Sequence, residues 1–231
     1  MKGAALFILL IVLQGMFLMA IAQNNTVLPV NNKGFYVGGE VSTNGWGGNI
    51  RYIFNKTITL KTGIERLNLK HGLNFNESGV DFEADLLYKT GGIYLMADFN
   101  YTKNLYIAAG AAMNSLNPEI KGYAVSDLQY GDISIPASEV GEFIFTLTPS
   151  MDISPYAAVG FRSFMGAKER VSFNFETGLY YLGAPNVEIE ATGLLAPTAD
   201  PAHGQKQLIE RQLSQYKFYP VIKFNLAVKL F

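Results

Sequence analysis

Hydrophobic and polar residues alternate along the C-terminal segment, residues 218–231. One parity is entirely apolar and the other contains Lys223, Asn225 and Lys229; the apolar parity consists of Phe218, Pro220, Ile222, Phe224, Leu226, Val228 and Leu230. Successive side chains of a β-strand point to opposite faces, so an extended segment with this pattern has one apolar face and one polar, cationic face. The pattern predicts a strand that lies between an apolar medium and a polar interior.

The same alternation recurs in seven earlier segments. They are residues 35–43, 46–54, 57–65, 91–101, 105–114, 152–164 and 171–181. Segments of about ten residues with alternating hydrophobicity, separated by turns, are typical of transmembrane β-barrels. An even number of strands also lets the last strand pair antiparallel with the first, which leaves no open sheet edge in the lipid. On this parity the lipid-facing band includes Ile50, Tyr52, Ile93, Leu95, Ile107, Phe173, Phe175, Phe224 and Leu226.

The connections between these segments are short after the second, fourth and sixth, and long after the third, fifth and seventh. Short periplasmic turns and long extracellular loops are the usual arrangement of outer-membrane barrels. Residues 80–88 alternate as well and predict an extension of the barrel wall, and residues 204–217 have the spacing of a short helix. We therefore predict an all-β fold, an eight-stranded antiparallel transmembrane up-and-down β-barrel with three long extracellular loops.

The N-terminus has the three parts of a secretory signal peptide. Lys2 supplies a positive charge, residues 4–17 form an apolar run, and Ala20 and Ala22 give a small-x-small cleavage site before Gln23. We predict a signal peptide over residues 1–22 cleaved after Ala22, a periplasmic segment over 23–34 and a barrel over 35–231. The alternative, an uncleaved anchor helix, is less favoured because the apolar run ends in a processing site.

Composition agrees with an exported membrane protein. Hydrophobic residues make up 49% of the chain and charged residues only 16%, against about 25% charged in soluble domains. The chain contains no cysteine, which excludes disulfides and a lipoprotein anchor. A net charge of -1 gives no support for nucleic-acid binding.

The strand parity places many ionisable side chains inside the barrel. The predicted network consists of Glu40, Arg51, Lys61, Glu65, Asp98, Arg162, Glu176 and Lys223, with Lys229 nearby. An eight-stranded barrel is only wide enough for side chains to fill it or for one small ligand. Because unpaired buried charges are costly, we expect these groups to pair across the lumen and close it. A water-filled conduit through the same groups is the alternative.

Catalytic and metal sites are not indicated. The chain has two histidines, His71 and His203, and both fall in predicted extracellular loops. Neither has a second histidine at metal-ligand spacing, and no cysteine is present. We predict no catalytic residue, no metal and no cofactor. A lipid hydrolase or protease that uses His71 at the outer rim is the enzymatic alternative.

Several segments also resemble a known family. The stretches VGGEVSTNGWGGNIRYIF, LYIAAGAAMN, ISPYAAVGF, FNFETGLYYLGAPNVEIEATG and YPVIKFNLAVKLF are similar to the CarO-type small outer-membrane barrels. The resemblance implies a barrel fold and uptake of ornithine and other basic amino acids, in a family associated with carbapenem susceptibility. The long loops do not match it. The lipid-facing parity ends at Leu230, which gives Phe231 the inner parity unless a bulge shifts the strand.

The sequence therefore predicts a non-enzymatic protein in the outer membrane of a Gram-negative bacterium, with porin-like uptake of small basic solutes as the function that the resemblance implies. The alternative is a closed barrel that displays its extracellular loops for surface interaction and has no channel activity. The expected partners are outer-membrane lipid and lipopolysaccharide, the barrel-assembly machinery during insertion and a small basic solute. Nucleic acid is not an expected partner.

Overall fold

The computed structural model describes residues 32–166 and 169–231 of the chain. The predicted signal peptide, its cleavage site and residues 23–31 lie outside the described residues. The strands are β1 Gly34–Ser42, β2 Gly45–Ile53, β3 Ile58–Glu77, β4 Val80–Asn100, β5 Leu105–Asn114, β6 Glu119–Ala124, β7 Leu128–Tyr130, β8 Ile133–Ile135, β9 Glu142–Thr148, β10 Ile153–Met165, β11 Val171–Tyr181, β12 Asn186–Ala191 and β13 Phe218–Lys229. The helices are α1 Ala137–Val140, α2 Ala196–Ala199 and α3 Gln205–Leu213, with short 3-10 turns at Gly193–Leu195 and Pro201–His203.

Eight of the strands close into a ring in the order β1, β2, β3, β4, β5, β10, β11, β13. Each strand pairs antiparallel with its neighbours, and β13 closes the ring on β1 with Tyr36 opposite Lys229 and Ser42 opposite Lys223. The ring confirms the predicted eight-stranded antiparallel barrel. The predicted strand ends lie within two residues of the observed ones, apart from the end of β3 and the start of β4.

The barrel wall has an apolar exterior and a polar interior. Along β13 burial alternates strictly, so that Phe224 and Leu226 are about half exposed while Lys223 and Asn225 are buried. The predicted lipid-facing residues lie on the exterior: Ile50, Ile93, Leu95, Ile107, Phe224 and Leu226 are exposed, and Tyr52, Phe173 and Phe175 are partly exposed. This is the reverse of a soluble protein, whose apolar side chains face inward.

A sheet extends beyond one end of the barrel. β3 and β4 continue past the ring as a long hairpin that pairs from Ile58 and Phe99 to Glu77 and Val80. Its tip, Ser78 and Gly79, has φ angles of 54° and 84°, as a two-residue hairpin turn requires. β6, β9 and β12 add to the distal part of β4, which gives the order β12, β9, β6, β4, β3.

The extended sheet contains strands in segments that were predicted as long loops. The wall extension predicted over residues 80–88 is confirmed, but its partner strand, the distal half of β3, lies in a segment predicted as loop. The other two long connections contain β6, β9 and β12. The helix predicted within residues 204–217 is present as α3. Within the described residues, no helix is long and apolar enough to cross a membrane.

The C-terminal aromatic residue does not follow the strand parity. β13 ends at Lys229, and Leu230 and Phe231 are 59% and 76% exposed. The ring of Phe231 lies 5.3 Å from that of Phe35, which is on the barrel exterior. Phe231 has the parity of the inner face but lies on the exterior, although Phe35 N still donates to Phe231 O at 3.1 Å.

Candidate functional site

The barrel interior contains the eight charged residues of the predicted network. In the half nearer the short turns, Lys61 Nζ lies 3.0 Å from Asp98 Oδ1 and also pairs with Glu176. Arg162 of β10, two strands away around the ring, also pairs with Asp98. Asp98 is 0% exposed, so both of its cationic partners contact it without water between them. These four groups come from β3, β4, β10 and β11 and connect strands across the lumen.

A second group lies nearer the long connections and is centred on Lys223 of β13. Its Nζ lies 3.0 Å from Glu65 Oε1, 3.9 Å from Glu40 Oε1 and 4.1 Å from the centroid of the Tyr94 ring. The Tyr94 hydroxyl donates to Glu40 at 2.7 Å, and Asn49 Nδ2 donates to the same carboxylate at 2.7 Å. The buried Glu40 carboxylate therefore has two neutral hydrogen-bond donors, Tyr94 and Asn49, besides the Lys223 cation. Together they satisfy the hydrogen-bonding capacity of its oxygens.

Arg51 does not pair with a carboxylate. Its guanidinium donates to Ser172 Oγ at 3.3 Å and to Asn225 Oδ1, and no acid lies within 4.0 Å of it among the described residues. Asn174 connects this arginine to the first group, because its Nδ2 donates to Asn225 at 2.8 Å and its Oδ1 accepts from Arg162 Nε at 3.1 Å. The expected carboxylate partner of Arg51 is replaced by amide and hydroxyl oxygens of inward residues on β11 and β13.

Tyrosine rings fill the space between the charged groups and the wall. Tyr106 and Tyr156 donate to Glu176 at 3.0 and 2.9 Å. The Tyr106 ring lies against Gly160, where a Cβ atom would come within 2.2 Å of a ring carbon. Glycine on the inner face of β10 thus makes room for the aromatic ring that covers Glu176.

Apolar side chains form a buried cluster toward each end of the interior. The end at the long connections contains a buried cluster that includes Leu116, Leu182, Val221 and Tyr180. The end at the short turns contains Tyr36, Ile53 and Ala227, with Phe164 packed against them. A small cavity of about 10 Å³ lies between the charged groups, which is about the space of one water molecule.

The remaining candidates lie outside this core. Lys229 is partly exposed at the short-turn end. His71 is exposed on the distal part of β3, and exposed His203 lies 3.6 Å from Asp200. Within residues 32–166 and 169–231, no group of three or more histidine, aspartate or glutamate side chains is placed to hold a metal ion.

Several core residues were absent from the predicted network. Asn49, Asn174 and Asn225 complete the hydrogen bonds around Glu40, Arg162 and Arg51. Their inward parity was visible in the sequence, but their partners depend on how far each strand is shifted against its neighbour. Selecting the ionisable residues alone missed the neutral side chains that connect them.

The fold is similar to two solved barrels. The crystal structure of Acinetobacter baumannii CarO matches this backbone with a TM-score of 0.55 and 20% identity, covering 89% of this chain and 100% of that chain. The crystal structure of A. baumannii CarO2 gives a TM-score of 0.54 with the same identity and coverage. No protein-family model and no curated protein matches the chain. The resemblance to CarO-type barrels is therefore confirmed at the level of the fold.

Proposed function

We propose that the protein is an outer-membrane β-barrel whose ion-paired core closes the lumen, and that the barrel anchors the extended sheet of β3, β4, β6, β9 and β12 at the cell surface. The observation that carries this proposal is the filled interior. Lys61, Arg162 and Lys223 each contact a buried carboxylate, and apolar clusters lie at both ends of the core.

The exterior supports the membrane location. Ile93, Leu95, Ile107 and Leu226 are each more than half exposed around the ring. Side chains of this size would be unfavourable in water over so much of a surface, whereas lipid chains are an apolar surrounding for them. A closed ring of strands also satisfies every backbone group of the wall, as a lipid surrounding requires.

The extended sheet supports surface display, because β3 and β4 continue beyond the end of the ring without a break in pairing. One face of the extension is covered by a cluster of Val80, Phe82, Ala124 and Val140. The extension therefore has a small apolar core of its own, and it can present a fixed surface.

Uptake of small basic solutes is the second candidate function. Acidic side chains outnumber basic ones in the segments beyond the barrel, residues 66–90, 115–152 and 182–217. Asp127, Asp132 and Glu139 are exposed acidic members of the second segment. A surface of negative charge raises the local concentration of cations. Transport would then require a rearrangement of the core, since ion pairs and tyrosine side chains occupy the lumen.

Surface labelling tests the membrane location and the display of the sheet. The chain has no cysteine, so a single cysteine can be introduced by Glu77→Cys at the tip of the β3–β4 hairpin. We expect a membrane-impermeant maleimide to label this variant on intact cells. The matched control is Lys103→Cys in the β4–β5 turn, which should react only after the cells are permeabilised. Labelling of Lys103→Cys but not Glu77→Cys on intact cells would contradict the proposed orientation.

A further inference from the structure

The end of the barrel with the short turns has an exposed ring of cationic side chains. Lys33 directly precedes β1, and Arg170 directly precedes β11. Lys56 lies in the β2–β3 turn and Lys103 in the β4–β5 turn. All four are exposed. Among the ion pairs of the described residues, none includes any of these four cations. Their charges are therefore available to an external partner.

Two of these cations are held in ordered turns. Asn55 Oδ1 accepts from the backbone nitrogens of Thr57 and Ile58 at 2.8 and 2.9 Å, which fixes the turn that carries Lys56. Thr102 Oγ1 accepts from the nitrogens of Asn104 and Leu105 at 3.3 and 3.0 Å. Side chains that bond to their own backbone in this way stabilise tight turns. The cations thus project from fixed positions.

Acidic residues are scarce at this end. Outside the barrel core, the described residues here include one acid, Glu169, which is partly buried. The opposite end has the acidic excess of the extended sheet. The molecule is consequently polar along its axis, with positive charge at the short turns and negative charge beyond the long connections.

Exposed aromatic side chains lie next to the cationic ring. Phe54, Phe99, Tyr101 and Phe231 are 44%, 48%, 86% and 76% exposed, and Phe35 contacts Tyr52 and Phe231 beside them. Aromatic girdles of this kind mark the depth of the lipid headgroups in membrane barrels. The cations next to the girdle therefore lie at, or just beyond, the headgroup layer.

We propose that Lys33, Lys56, Lys103 and Arg170 form a docking surface for the headgroups of anionic phospholipid in the membrane leaflet that surrounds the short turns. The proposal rests on the membrane position of the barrel. A lysine or arginine near an anionic lipid surface gains about fivefold in association for each charge, and the gain falls off within a Debye length. Four such groups around the circumference would hold a shell of anionic lipid at this end only.

Fluorescence quenching by brominated lipids tests the proposal. The reporter is an indole introduced by Tyr101→Trp, next to Lys103, in a Trp46→Phe background that removes the only tryptophan of the chain. The refolded barrel is placed in phosphatidylcholine vesicles that contain a small fraction of brominated phosphatidylglycerol or, in parallel, brominated phosphatidylcholine. We expect phosphatidylglycerol to associate about fivefold more strongly at low salt, and the preference to vanish near 1 M salt, where the Debye length is about 3 Å.

The matched variant removes the four charges by Lys33→Gln, Lys56→Gln, Lys103→Gln and Arg170→Gln. We expect equal quenching by the two lipids in this variant. The unmodified protein with its native Trp46, which lies at the opposite end of the wall and is 69% exposed, should also show no preference. Equal quenching by both lipids in the reporter with its four cations, or an unchanged preference after their removal, would overturn the proposal. Quenching by neither lipid would instead contradict the membrane position.

Discussion

Neutralising Asp98 tests the ion-paired core most sharply, because this carboxylate contacts two cations and is fully buried. The substitution Asp98→Asn keeps the shape of the side chain and removes one negative charge. The core then contains four cations, Arg51, Lys61, Arg162 and Lys223, against three carboxylates.

The expected loss of stability depends on the partners that Lys61 and Arg162 keep when Asp98 is neutralised. Breaking a buried ion pair costs about 3–5 kcal/mol, since it leaves a charge without a partner. Lys61 keeps Glu176, and Arg162 keeps acceptors on Thr59 and Asn174. We therefore expect the lower end of the range, a loss of about 3 kcal/mol in the free energy of unfolding.

The assay is equilibrium unfolding in urea of the barrel refolded into lipid vesicles, followed by the fluorescence of Trp46. The double variant Asp98→Asn with Lys61→Met restores equal numbers of charges. Its loss should be smaller than the sum of the two single losses by about 1–3 kcal/mol, as expected for groups in direct contact. A single variant within about 0.5 kcal/mol of the unmodified protein, or additive losses, would refute the ion-paired core.

Two further predictions use pairs of matched substitutions. Leu226→Arg should destabilise the barrel by about 2–4 kcal/mol in the same unfolding assay if Leu226 contacts lipid near the bilayer midplane. The control is Leu69→Arg on the extension, which should change stability little although Leu69 is as exposed as Leu226 (55% and 54%). Equal losses in the two variants would contradict the assignment of Leu226 to the lipid-facing exterior. Gly160→Ala should lower the free energy of unfolding by about 1–3 kcal/mol, because the added Cβ would overlap the Tyr106 ring. Gly72→Ala should be close to neutral, because no atom lies within 4 Å of the position of its Cβ. An unchanged urea midpoint for Gly160→Ala would show that the Tyr106 ring is free to move.

The barrel could be predicted from the sequence because its signal is local. Each wall strand alternates between lipid and lumen, so the parity of residues such as Leu226 and Lys223 assigns both faces without knowledge of the partner strand. The same parity placed the eight ionisable residues of the network inside. Parity alone left the side of Phe231 open, and the structure places its ring beside Phe35 on the exterior.

The extension was only partly predicted. Distal β3 does alternate, with Leu67, Leu69, Leu73 and Phe75 on one parity and Asn68, Lys70, Asn74 and Asn76 on the other, but it continues a strand that was predicted to end at Glu65. A length of 20 residues is about twice that of a typical transmembrane strand, so the distal half was assigned to a loop. β6 and β9 are short and pair with strands distant in sequence, such as Glu119 opposite Leu87. Pairing between distant segments leaves little trace in a single sequence.

The partners within the core could not be predicted either. Arg51 and Asp98 face the same lumen, yet Arg51 bonds to Ser172 and Asn225 while Asp98 bonds to Lys61 and Arg162. Which charges meet depends on the tilt and stagger of the strands around the ring. The tilt and stagger are properties of the closed barrel and cannot be derived from the alternation within any one strand.

Ion conductance across a planar lipid bilayer tests the central claim most directly. The purified, refolded barrel is added to the bilayer, and current is recorded at fixed voltage in symmetric salt. We expect no stable conductance from the unmodified protein, because ion pairs and apolar clusters fill the lumen. A stable, open, cation-selective conductance from the unmodified protein would contradict the closed core and would favour uptake of basic solutes as the function.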